Sequence, residues 1–131
     1  MKYAALLTND AADVERWKSL SEDEARAARE LEVPKWNALF AEFGPHVQFG
    51  AELDEPATAR TVRVRDGETI VTDGPYAETK ELIAGIFVLE CDDLDQAIAI
   101  AEKVPLVTRG SVELRPLVEN QVPEEQVPAA T

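Results

Sequence analysis

Ile86-Phe87-Val88-Leu89 is apolar at four consecutive positions, and that run decides the fold. Neighbouring side chains of a strand point to opposite faces of its sheet, so an unbroken apolar run places hydrophobic groups on both. Ala4-Ala5-Leu6-Leu7, inside the strand expected over Tyr3–Thr8, does the same. An antiparallel sheet with helices on one face should alternate on its water side. These two runs do not alternate, which predicts two central strands and a cover over the second face. The economical cover is a second copy of the chain, giving a sheet-on-sheet homodimer.

Between the two runs the pattern changes period. Asp10–Leu20 suits a short helix with Val14 and Trp17 inward. Ser21-Glu22-Asp23-Glu24 has the spacing in which a hydroxyl and a carboxylate satisfy each other's backbone N–H groups, so a longer helix starts there. Trp36, Leu39, Phe40 and Phe43 then recur at helical spacing, one buried core stripe, until Gly44-Pro45 ends it. Pro34 removes one helical hydrogen bond and predicts a kink or break near Val33. Val47–Leu53 reads as the next strand. Thr61-Val62-Arg63-Val64-Arg65 alternates strictly before Asp66-Gly67, a two-residue turn signal, so it forms a hairpin with Glu68–Thr72. That register opposes Val62 to Val71 and Arg65 to Glu68, an apolar pair and an ion pair. Asp73-Gly74-Pro75-Tyr76 is a second turn.

After the run at 86–89, Asp92 or Asp93 caps a helix with Leu94, Ala97, Ile98 and Ala101 on one stripe, closed by Pro105. Ser111–Leu117 supplies the last strand, with Val112 and Leu114 inward. The class is α+β. Without the inserted β-hairpin, the order is the βαββαβ of a ferredoxin-like sheet, whose first and third strands are central. Residues 1–118 form one domain, and 119–131, with Pro123, Pro128 and small or acidic residues, read as a disordered C-terminal tail.

The chain has 131 residues, room for one core, and its 45% hydrophobic and 30% charged residues are those of a globular protein. With 13 basic and 26 acidic residues the net charge is −13, so the whole-molecule field repels phosphate backbones and anionic lipids. Direct nucleic-acid binding and membrane binding are not expected. Cys91 is the only cysteine, which excludes an internal disulfide and any site needing several thiolates. It is expected to pack as a small apolar residue. Polar Thr8-Asn9-Asp10 interrupts the N-terminal apolar run too early for a signal peptide. The expected location is cytoplasmic.

Thr61–Gly67, Val71-Thr72-Asp73-Gly74-Pro75-Tyr76-Ala77-Glu78-Thr79-Lys80-Glu81 and Gly110–Pro116 resemble the DGPF branch of the YCII-related family. Tyr76 stands where Phe is usual, and Ala84 replaces the first of a usual glycine pair kept at Gly85. The resemblance implies a dimeric α+β barrel of ferredoxin-like subunits. It also implies an association with extracytoplasmic-function sigma-factor systems. The wider family carries a proposed His-Asp pair with its histidine on the first helix. Here Glu22–Phe43 holds none, and the only histidine, His46, follows the helix-ending Gly-Pro, so the pair does not carry over.

Asp73, Glu78 and Lys80 are the candidate catalytic residues, since a carboxylate near an ammonium makes an acid–base pair. A structural account competes: Asp73 accepts backbone N–H bonds within its own turn, and Glu78 and Lys80 make ion pairs. Arg63 and Arg65, on one face of the hairpin with Arg60 near, are candidates for binding an anionic small molecule or a carboxylate of the partner subunit. Solvated charges guarding an edge strand explain them equally. Tyr76 either donates its hydroxyl to a ligand or plugs the sheet edge, and His46 either carries a proton or is structural. No phosphate loop, nucleophile elbow or metal-ligating cluster is present, so neither cofactor nor metal is expected. Two functions stay open. One is a non-catalytic or regulatory module binding a small molecule beside the Asp-Gly-Pro-Tyr loop; the other is a cofactor-free acid–base enzyme of isomerase, lyase or dehydrochlorinase type.

Overall fold

The structure, a computed structural model, describes residues 1–75 and 81–118. Tyr76, Glu78, Lys80 and the tail expected over 119–131 lie outside the described residues. The chain runs β1 (Lys2–Asp10), α1 (Ala11–Lys18), α2 (Glu22–Phe43), β2 (Val47–Glu52), β3 (Arg60–Arg65), β4 (Glu68–Asp73), β5 (Glu81–Glu90), α3 (Leu94–Ala101) and β6 (Gly110–Pro116). Four antiparallel strands form the main sheet in the order β2-β5-β1-β6. The strands carrying the two apolar runs are therefore the central ones, as a ferredoxin-like sheet requires. β3 and β4 form a separate two-stranded sheet.

One face of the main sheet packs on the helices. Tyr3, Ala5 and Leu7 of β1 and Phe87 and Leu89 of β5 are buried there with Leu39 of α2 and Ala97 and Ile100 of α3. Burying a side chain such as Leu39 or Leu89 contributes roughly 1.5–3 kcal/mol. The opposite face carries Ala4 and Leu6 paired with Val88 and Ile86, and beside them Phe49 and Ile83 are about half exposed. Of the two adjacent residues Phe87 and Val88, Phe87 faces the helices and Val88 the open side.

Several local expectations need correction. α2 is one continuous helix through Pro34. Leu31, Val33 and Pro34 lie on its exposed side, where the carbonyl that the proline leaves unpaired can meet water, so the turn need not break. The aromatic stripe of α2 is only partly core: Leu39 is buried, but Phe40 is 42% exposed and Trp36 and Phe43 are half-buried. On α3, Ile100 takes the inward place expected for Ile98, while Leu94 and Ile98 are exposed. Asp93 is the cap, accepting from the Gln96 N–H at 2.9 Å.

Other details hold. Ser21 and Glu24 form the reciprocal cap of α2, and the hydrogen bonds from Ser21 hold the Glu24 carboxyl below its ordinary value. Asp66 and Gly67 turn with φ of 51° and 78°, the pair of positive angles that matches hairpin twist. Val62 opposes Val71 and Arg65 opposes Glu68. The expected ion pair is absent, because Arg65 Nη1 donates to the Val64 carbonyl at 2.9 Å instead. Cys91 is buried, and His46 places Nδ1 2.9 Å from the Glu90 carbonyl oxygen, a structural contact.

Candidate functional site

The helix face of the sheet is not filled from end to end. An open cleft of about 1020 Å³ is walled by α1, α2, β5 and the segment 52–56. α2 presents Ala25, Arg29, Glu32, Trp36 and Phe40 to the cleft, residues whose spacing places them along one side of a helix. α1 adds Val14 and Trp17, half-buried as expected. Asn9, Leu7, Ala84 and Gly85 lie on the sheet side.

At one end stand three aromatic rings. Trp36 stacks on Phe40 at 6.2 Å, and Phe87 meets both edge to face, at 6.2 and 6.1 Å. Such arrangements put the positive ring edge against the negative ring face. β2 makes room for this group by carrying no side chain at Gly50, over which the Phe87 ring lies.

At the other end is an ionic chain. Asp13, in the first turn of α1, has a side chain only 8% exposed. Its Oδ1 accepts from Arg16 Nη2 at 2.8 Å and its Oδ2 from Arg109 Nε at 3.1 Å. Arg109 also binds Glu32 through Nη1. The chain thereby ties α1, α2 and the start of β6 together with charge-assisted bonds, the strong kind. Gly110, next to Arg109, has to be glycine, because a Cβ there would lie 2.0 Å from the Thr8 carbonyl oxygen. Close approach of β6 to β1 is what sets Arg109 against Asp13.

Asn9, at this same end, is different. Its Oδ1 is buried and has no hydrogen-bond partner, although buried polar groups are nearly always satisfied. Arg29, at the exposed edge of the wall, makes no ion pair among the described residues. Glu52, Asp54 and Glu55 form an acidic rim opposite.

The residues singled out from sequence fall elsewhere. Arg63 and Arg65 sit on one face of the β3–β4 hairpin, and neither they nor Asp73 line the cleft. Asp73 is paired with Arg60 at 3.2 Å, with its side chain 88% exposed. Its turn is tied through the backbone instead: the Gly74 N–H donates to the Ala59 carbonyl and Thr61 Oγ1 to the Gly74 carbonyl, each at 2.8 Å. Sequence reasoning missed Asn9, Asp13, Arg29, Glu32 and Arg109. Single polar residues in helical and strand patterns carry no local signal for a shared site, and the one available hint was the polar Thr8-Asn9-Asp10 closing an apolar strand. Among the described residues no group of His, Cys, Asp and Glu is arranged to hold a metal, and no helix is long and apolar enough to cross a membrane.

Residues 1–121 match the family model of the YCII-related domain. An uncharacterised protein of Rhizobium meliloti (strain 1021) is 37% identical over 120 residues, covering 89% of this chain and 92% of that protein. With the motifs, the strand order and the nearly full-length match in agreement, the chain belongs to the YCII-related family.

Proposed function

We propose that this chain is a non-catalytic, regulatory module that binds a small molecule in the cleft between α1, α2 and the sheet, and that it works as a homodimer. One observation carries the choice of binding over catalysis. The carboxylates set in or behind the cleft's inner wall, Asp13 and Glu32, are engaged by arginines, and the other polar residue on the cleft's sheet side, Asn9, carries an uncharged amide. An amide orients a ligand by hydrogen bonds but does not take or give protons near neutrality. Apolar walls with a few convergent polar groups are the usual make-up of a ligand site.

The Asp-Gly-Pro-Tyr segment fits beside this site in sequence. It leads into β5, whose Leu82 and Ile83 line the cleft. The open sheet face of Ala4, Leu6, Ile86 and Val88 supports the dimer, since a second copy would take that apolar surface from water. The sigma-factor association implied by the DGPF resemblance gives such a module its output.

A thermal-shift screen of a metabolite library on wild type and Trp36→Ala tests the binding claim. Selective binding raises the melting temperature by mass action. A compound that stabilises wild type and not a folded Trp36→Ala supports the cleft as its site. Stabilisation of both alike would place the ligand elsewhere, and consumption of the bound compound would replace the binding role by an enzymatic one.

A further inference from the structure

Resting on the cleft as the ligand site, we infer that it takes an aromatic monocarboxylate, with the carboxylate on Arg29 and the ring against Trp36 and Phe40. The head group follows from how the helical cations are paired. Arg16, Lys18 and Arg26 each hold the carboxylate three residues before them, on Asp13, Glu15 and Asp23. Arg29 has Arg26 in that place, Ala25 and Val33 one turn away on either side, and Glu32 three residues on. Those are the positions that a side chain on a helix meets, and Glu32 is taken by Arg109. Arg29 is thereby left without an ion pair among the described residues, although it lines the cleft. Lys35, farther along α2, borders a different groove, toward Glu102 and Val104.

A guanidinium presents a fork of N–H groups that the two oxygens of a carboxylate answer together. A carboxamide answers only one arm of the fork, and an ammonium is repelled by it. The opposite rim limits the ligand to one negative charge. Glu52, Asp54 and Glu55 line the cleft there and form no ion pair among the described residues, so a second carboxylate would face three groups of its own sign.

Length follows from the helix. Arg29 and Trp36 are seven residues apart, about 10 Å along α2, and close to two whole turns, which sets them on one side. Trp36 is half-buried and Phe40, a turn farther on, is exposed, and both line the cleft. A carboxylate bonded at about 2.8 Å and a ring in contact at about 4 Å leave a gap that a short alkyl linker fills.

3-Phenylpropionate, 3-phenylpropionamide, 3-phenylpropylamine and the dicarboxylate phenylsuccinate keep one ring and vary the charge, and each would be titrated into the full chain. Trp17 and Trp36 are the chain's two tryptophans and both line the cleft, so their emission reports occupancy. The monocarboxylate is expected to bind at least about fivefold more tightly than the other three, the gain that goes with a charge-assisted pair at an open site. Its lead over the amide should shrink as salt rises. Arg29→Gln should level the monocarboxylate with the amide, and Arg29→Lys should keep part of the lead, since a point charge then replaces the fork. Arg29 is exposed and holds no partner among the described residues, so neither change removes a contact of the fold.

Tightest binding of the amide, the amine or the dicarboxylate to wild type, or a monocarboxylate lead that survives Arg29→Gln, overturns the head-group assignment while leaving the cleft as the binding site. Unchanged tryptophan emission with all four overturns the aromatic monocarboxylate itself, and the cleft is then judged by the library screen on wild type and Trp36→Ala.

Discussion

The Phe87 ring lies directly over the α-carbon of Gly50: a Cβ at position 50 would sit 2.6 Å from two carbons of the ring. Phe87 has little freedom to move aside, since Trp36 and Phe40 hold it edge to face. Gly50→Ala is therefore expected to cost about 1–3 kcal/mol, as overpacking does, and to alter Trp36 emission. A variant with wild-type stability and spectrum would show that the three rings are not fixed as a group.

Asp13 is expected to matter more than any surface charge. Its loss leaves Arg109 facing Glu32 alone and removes the link between α1 and β6. Asp13→Ala should cost on the order of 2–4 kcal/mol, toward the range for breaking a buried pair. Arg16, half exposed, should cost no more than about 1 kcal/mol when replaced by Ala. Urea midpoints at unchanged slope measure both, and equal costs would mean that burial does not strengthen the Arg109 arm.

Burial pushes the Cys91 thiol above its ordinary value. A raised value in the folded state stabilises the fold fully below the unfolded thiol's pKa, about 8.5, and that contribution is lost as pH rises above it. Wild type should therefore lose stability on the alkaline side more steeply than Cys91→Ala, a difference that removes the other groups titrating there. Native Cys91 should also resist iodoacetamide at neutral pH and react once the chain is unfolded. Fast alkylation of the native protein would contradict the burial.

Asp73 and Gly74 separate two kinds of turn residue. Asp73 is exposed and among the described residues meets only Arg60, so Asp73→Ala should change stability by less than about 1 kcal/mol. Gly74 has φ of 91°, a region that L side chains rarely adopt, and Gly74→Ala should cost about 1–3 kcal/mol. Chemical denaturation of the two variants gives the comparison, and a larger loss for Asp73→Ala would assign the turn to the carboxylate.

The difference between these sites explains what was legible in the sequence. Strands announced themselves because Ala4–Leu7 and Ile86–Leu89 repeat apolar residues, and the hairpin did because Asp66-Gly67 fits one turn type. Periodicity also marked the stripe of Trp36, Leu39, Phe40 and Phe43, yet it could not tell a core face from a cleft wall. Whether a helix lies flat on the sheet or lifts away depends on contacts distant in sequence. Asp13 and Arg109 are 96 residues apart and meet at 3.1 Å; each alone reads as an ordinary surface charge. Asn9 left only one trace, a polar residue closing an apolar strand, which does not say what lies beside it in the fold.

The two faces of β5 give the last test. Val88 and Ile86 pair with Ala4 and Leu6 on the side away from the helices, and Phe49 beside them is 53% exposed. Contiguous apolar surface of this kind is rare on a monomer unless it binds something. Val88→Asp places a charge on that face and should leave the helix-side core untouched. The expected result is a folded monomer by light scattering, against a dimer for wild type whose interface buries well over about 1,000 Å². Phe87→Asp, one residue along, puts the same charge among Trp36, Phe40 and the core, and should unfold the chain instead. A wild type that stays monomeric at high micromolar concentration would remove the dimer from the proposed function. A Val88→Asp variant that still forms dimers would place the interface on another surface.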